Sequence, residues 1–289
     1  MKTSLHLIGY AYGEAAGDPG CKDGPDTFKQ SDWFKKLAEQ QPEIIWDTTF
    51  YSESFSDKYS DTKIICQQLA LKTQALTANG DRFITLGGDH SCAIGTWSGV
   101  SQAVSPKGNL GLIWIDAHMD SHIPETSPSG NIHGMPLAAL LGYGDSQLTQ
   151  LLKPAPQLLP EHVCLIGIRS FESGEADLLK KLGVRIFYME EVRDRGLQAV
   201  FTEALSIVEK NTIGFGISID LDGLDPKDAP GVGTPVAKGL SLSDLCLSLA
   251  TIQDKQNFLG AEITEFNPHH DENHKTEKAI YELICAMKH

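Results

Sequence analysis

Short apolar runs alternate with longer amphipathic segments along the whole chain. Seven runs, Leu5–Gly9, Phe83–Leu86, Leu112–Ile115, Val163–Ile168, Val184–Tyr188, Gly214–Ile219 and Leu259–Ile263, are nearly continuously apolar. Such runs suit strands covered on both faces, since a strand with one face in water alternates. Between them, Thr62–Asn79 places Ile65, Leu69 and Leu76 on one side and closes at Asn79-Gly80, a helix stop. Ser241, with Asp244 three residues on before an apolar run, reads as a helix start, and His274–Met287 reads as a last helix. Strands alternating with helices predict an α/β fold: a three-layer α/β/α sandwich with an open, mainly parallel sheet. No repeat, low-complexity tract or long linker intervenes, so residues 1–289 are expected to form a single domain.

In that architecture ligands bind beyond the carboxyl ends of the strands. The residues found there are of one kind. GGDHS follows Phe83–Leu86 and brings Asp89, His90 and Ser91 after the flexible pair Gly87-Gly88. DAHMD follows Leu112–Ile115 and brings Asp116, His118 and Asp120; DLDGLDP follows Gly214–Ile219 and brings Asp220 and Asp222. A period of two keeps side chains on one face of an extended backbone. Four carboxylates and two imidazoles gathered on one edge repel unless protons or cations neutralise them. Two divalent ions remove the conflict, and six ligands for two ions require carboxylates that are shared. The donors are rich in oxygen, include nitrogen and lack thiolate. That favours manganese over structural zinc, with cobalt, iron and catalytic zinc also compatible. Such a pair can share a water and lower its pKa toward neutrality, which suits hydrolysis.

Composition narrows the partners. With 24 Lys+Arg against 38 Asp+Glu the formal charge is −14, which argues against nucleic acid or an anionic surface and fits small cations. The opening MKTSLHLIGY lacks a signal-peptide core, and no stretch approaches the ~18 apolar residues of a membrane span. The six cysteines form no C-x-x-C pair and read as reduced core thiols, so a cytoplasmic protein without a membrane partner is expected. Neither a Walker sequence, a strand-linked G-x-G-x-x-G nor a G-x-S-x-G elbow is present, leaving phosphate binding and serine hydrolysis without support. His269-His270-Asp271 with His274 is read as a polar loop leading into the last helix.

At GGDHS, DAHMD and SIDLDGLDP (218–226) the chain resembles the arginase family, the ureohydrolases, and the resemblance runs from about Gly9 to Asn267. It implies an arginase-like open sandwich, two Mn2+ per subunit and a homo-oligomer, trimeric or hexameric. By the same resemblance His90, Asp116, Asp120 and Asp220 hold one ion, and His118, Asp116, Asp220 and Asp222 the other. Asp89 and Ser91 then support the first ligand rather than bind metal. The segment TSPSGNIHGMPLA (126–138) resembles true arginases rather than agmatinases. It implies that Ser129 and Asn131 bind the substrate's α-carboxylate and that His133 shuttles the proton an amine needs to leave. Glu265, in AEITEFNP, would pair with the guanidinium. Thr234, in GVGTP, would line the pocket, and Asp120 is counted with His133 and Glu265 among the catalytic groups. The implied reaction is hydrolysis of a small cationic guanidino substrate, L-arginine, to L-ornithine and urea.

Two positions depart from the family pattern. His122 stands where arginases carry an Asn that contacts the α-carboxylate, and Glu172 where an Asp helps bind the α-amino group; Glu175 has an acidic counterpart. One methylene in a polar pocket can change specificity. A ureohydrolase acting on a guanidino acid, agmatine or formiminoglutamate is therefore the alternative. A catalytically silent regulatory or binding protein is disfavoured, because all six ligand positions are filled.

Overall fold

The computed structural model describes residues 4–52, 57–152, 156–252 and 255–288. Eight strands form one sheet: β1 (Leu5–Ala11), β2 (Ile44–Tyr51), β3 (Arg82–Gly87), β4 (Asn109–Ile115), β5 (Val163–Ile168), β6 (Arg185–Tyr188), β7 (Thr212–Asp220) and β8 (Phe258–Thr264). Their order across the sheet is β2-β1-β3-β8-β7-β4-β5-β6, and every pairing is parallel. Each expected strand is present. β2 was not expected; it lies at the sheet edge, with Ile45 and Tyr51 exposed, and Asp47, Thr48 and Thr49 interrupt its apolar residues.

Alternate side chains of β4 feed two separate cores. Ile113 and Ile115 join one cluster with Phe28, Leu37, Val200, Leu245 and Ile280, which come from helices on that face. Leu112 and Trp114 join the other, with Leu69, Trp97, Leu137 and Leu179 from helices on the opposite face. That double burial is why the strands read as continuous apolar runs.

Helix boundaries follow local chemistry. The helix Lys58–Asn79 begins earlier than Thr62 because the Asp57 side chain caps it at Ser60 N, 3.0 Å away, and it ends where Gly80 takes φ 79°. Ser241 caps the helix Leu242–Leu249 by accepting from Asp244 N. The final helix is Lys275–Met287, with His274 just outside it in a left-handed conformation. Among the described residues no helix is long and apolar enough to cross a membrane, and all six cysteines are free.

Topology explains why the motifs meet. β3, β8, β7 and β4 are consecutive neighbours in the middle of the sheet, although they are far apart in sequence. Their carboxyl ends open on one rim.

Candidate active site

His90 arrives at the rim through a tight passage after β3. Gly88 N donates to Tyr10 O (2.7 Å) and Asp89 N to Tyr12 O (2.8 Å), and a Cβ on Gly88 would lie 1.9 Å from Tyr12 O. Only glycine fits there. Asp116, His118 and Asp120 follow β4, with Asp120 held at φ 48°. Asp220 closes β7 and Asp222 sits in the short turn Leu221–Gly223. Glu265 follows β8 at φ 65°, its N–H bound to Gly88 O at 2.8 Å. Non-glycine residues in the left-handed region store strain, which clusters at working sites.

The six expected ligand residues fall into two touching groups. In the first, His90 Nδ1 lies 3.0 Å from Asp120 Oδ2, 3.0 Å from Asp220 Oδ2 and 3.4 Å from Asp116 Oδ2. In the second, His118 Nδ1 lies 3.1 Å from Asp222 Oδ2 and 3.5 Å from Asp116 Oδ1. Asp116 thus turns one oxygen to each group. Asp220 belongs to the first group, and its other oxygen accepts from Asp222 N at 2.9 Å.

All four carboxylates are buried, and among the described residues their only ion-pair partners are imidazoles. Burial, with Asp116 alongside, pushes Asp120 up to about 6, and burial with Asp222 and Asp116 pushes Asp220 well above the carboxylate range. Burial also works against Asp116, but the hydrogen bonds and charges of His118 and His90 hold it below its usual value. The imidazoles respond in the opposite sense: burial would lower His90 and His118, yet the acids they face drive both far up. Divalent cations would neutralise this set, and six convergent oxygen and nitrogen donors without sulfur fit hard or borderline ions.

A cavity of about 180 Å³ opens beside the two groups. Its inner wall carries His118, Asp120, Asp220, Asp222, His133 and Glu265; its outer wall carries His122, Ser129, Asn131, Glu172 and Glu175, with Thr234 on the rim. Glu265 Oε1 accepts from His90 N (2.9 Å) and faces His133 Nδ1 (3.1 Å). Burial opposes its ionisation, but His133 and the His90 N–H hold it below the usual carboxylate range. For His133 the balance is reversed: burial lowers it, and Glu265 raises it to about 9.

At the outer end His122 Nε2 meets Glu172 Oε2 at 3.0 Å, and Nδ1 meets Thr126 Oγ1 at 3.2 Å. The His122 bond holds the exposed Glu172 carboxylate below its usual value, whereas burial pushes Glu175 up to about 8. Glu175 Oε1 also accepts from Glu172 N at 2.9 Å, which ties the start of the helix Ser173–Leu182. Ser129 and Asn131 share a tight turn, Asn131 N donating to Ser129 Oγ at 3.2 Å.

Thr234 does more than line the rim: its hydroxyl donates to Asp222 Oδ2 at 2.9 Å. Asp89 and Ser91 stand behind His90, Asp89 accepting from Ala15 N at 3.0 Å and from the Ser91 hydroxyl. The histidines of the 269–274 loop are dispersed over separate pairs, His269 with Asp23, His270 with Asp18 and His274 with Glu277.

Several supporting residues lie beyond those that the motifs single out. Trp114 Nε1 donates to Asp116 Oδ2 at 2.9 Å while its ring stacks on His90 with centroids 4.2 Å apart. Ser218 Oγ lies 2.8 Å from His90 Nε2. Arg169 braces the loop around Asp222 by donating to the carbonyls of Asp222 (2.7 Å) and Val236 (2.8 Å). Trp114 and Ser218 each precede a ligand by two positions, a signal that period-two reading offers.

The family model described as Arginase family matches residues 3–288. The chain is 42% identical to an arginase of Brevibacillus brevis, over 99% of this chain and 98% of that protein. It is 44% identical to an arginase of Bacillus caldovelox, over 76% of this chain and 73% of that one. Its fold superposes on the crystal structure of arginase from Bacillus subtilis with a TM-score of 0.90 at 35% identity, covering 98% of each chain.

Proposed function

The chain belongs to the arginase family, and from that premise we propose that it hydrolyses L-arginine to L-ornithine and urea. The observation that carries this reading is Asp116, whose two oxygens face two His/Asp groups at the edge of a cavity of about 180 Å³. His90, Asp116, Asp120 and Asp220 would hold one ion; His118 and Asp222 would hold the other, with Asp116 and Asp220 shared. When bound, a divalent pair supplies Lewis-acid charge and an activated water.

The remaining work belongs to the chain's own side chains. Glu265 accepts hydrogen bonds from the substrate's planar guanidinium and orients its central carbon toward the ligand carboxylates. His133, kept protonated at neutral pH by Glu265, donates a proton to the departing δ-amine, which leaves readily only as the neutral amine. Asp120, beside both, contributes negative charge near the reacting cation. Ser129, Asn131 and His122 would take the α-carboxylate, and Glu172 the α-amino group.

Manganese as the ion, two per subunit, is supported by the oxygen-rich donor set without thiolate. A homo-oligomer and a cytoplasmic location are proposed from the family resemblance and from the free cysteines. A second reading has its own observation: the His122–Glu172 pair gives the outer pocket a different shape from an amide and a shorter acid. One panel decides between them. Mn2+-loaded enzyme is assayed with arginine, agmatine and 4-guanidinobutyrate for urea, and with formiminoglutamate for formamide. Arginine is expected to have the highest kcat/KM; preference for a compound without an α-amino group overturns the arginine assignment, and no turnover at all overturns the enzyme.

A further inference from the structure

Behind the proposed ligands lies a fully buried acid that the reaction does not touch. Glu262, on β8, forms one cross-strand row with Ser218 of β7 and Trp114 of β4. The row lies one side-chain step below Asp220 and Asp116. Glu262 Oε1 accepts from the Ser218 hydroxyl at 2.7 Å and from Trp97 Nε1 at 2.6 Å, and Cys92 Sγ donates to Oε2 at 3.7 Å. Gly216 leaves room for that indole, since a Cβ there would lie 2.0 Å from the Trp97 ring. An apolar side chain could fill this place without the cost of burying a carboxyl group.

Proton counting gives the acid a purpose. A serine hydroxyl has one proton to donate. Because Glu262 takes it, the Ser218 oxygen is left to accept from His90 Nε2, 2.8 Å away. His90 then donates through Nε2, and Nδ1, which faces the carboxylates of the first group, is the nitrogen that gives up its proton to an ion. We propose that Glu262 is a positioning residue that acts through Ser218 to fix the orientation and tautomer of His90, so that Nδ1 faces an incoming ion. Without Glu262 the hydroxyl proton is free to turn toward Nε2, favouring the tautomer that has no lone pair at Nδ1.

This inference rests on the reading of His90 as an ion ligand, and calorimetric titration of metal-free protein with Mn2+ separates the two. Wild-type protein is expected to bind two ions; binding none overturns both the ligand reading and this inference. Given two ions, Glu262→Met is expected to weaken one of them about 10–100-fold and leave the other unchanged. Glu262→Gln keeps an acceptor oxygen and is expected to bind close to wild type. Ser218→Ala should show the same loss as Glu262→Met, and combining the two should add nothing. Wild-type affinity in Ser218→Ala, or losses that add in the double variant, overturns the proposal. Trp97→Phe with Glu262→Met removes the stranded indole donor and supplies the measurement if Glu262→Met alone does not fold.

Discussion

At His133 burial and a neighbouring carboxylate pull in opposite directions. Burial favours the neutral ring; Glu265, 3.1 Å away, outweighs it and raises the imidazole to about 9. Removing the carboxylate charge must therefore lower the midpoint, because Glu265 is the largest of the influences that raise it and only the weaker ones of Asp120 and Asp89 are left to oppose burial. In metal-free protein labelled at histidine, NMR titration should place His133 near 9, and Glu265→Gln should move it down by at least about one unit. A midpoint that stays in place would show that Glu265 does not hold this proton. At this scale legibility followed chemistry. Acids and imidazoles on a period of two pointed to themselves, whereas Trp114 and Ser218 share the same faces but carry no charge. Glu262 was visible as an acid within an apolar run, yet its partners Trp97 and Ser218 come from elements that only the folded sheet brings together.

At the scale of elements, two glycines separate a stop signal from a structural necessity. Gly80 ends a helix at φ 79° with open space around it, so Gly80→Ala meets only backbone strain, about 1 kcal/mol, and should leave ion binding unchanged. Gly88 has an ordinary backbone but no room: a Cβ there strikes Tyr12 O and crowds Tyr10 O. Gly88→Ala is expected to cost about 3 kcal/mol or more in chemical denaturation and to weaken Mn2+ binding, because His90 and the Glu265 N–H both depend on that passage. Equal losses in the two variants would mean that the approach of Gly88 to β1 does not position the site. Strand existence was legible wherever both faces are buried. β2 escaped because an edge strand needs no continuous apolar run, and the early start of Lys58–Asn79 escaped because it depends on the Asp57 cap rather than on periodicity.

For the molecule as a whole the sequence offered strands and their order in the chain, but not their order in space. β8, last in sequence, inserts between β3 and β7, and that placement joins Glu265 to a rim otherwise built from residues 89–122 and 220–222. Four buried carboxylates are thereby held at the meeting point of four strands, so ion binding and global stability are linked. An ion that binds only the folded state stabilises it by RT ln(1 + [L]/Kd), about 2.7 kcal/mol at a hundredfold excess over Kd. For a chain of this size that corresponds to roughly 4–5 °C in Tm for one ion. Chelation should lower Tm accordingly, and Mn2+ should restore it. The two groups then predict an asymmetry between single variants. Asp116 faces both, so Asp116→Ala should abolish the Mn2+-dependent rise in Tm and bind neither ion tightly; Asp222 faces one, so Asp222→Ala should keep one ion and part of the rise. Calorimetric melting of both variants across a Mn2+ series measures this directly. If Asp116→Ala retained one tight ion, each group would be holding its ion without the shared carboxylate, and the paired centre proposed for the reaction would have to be abandoned.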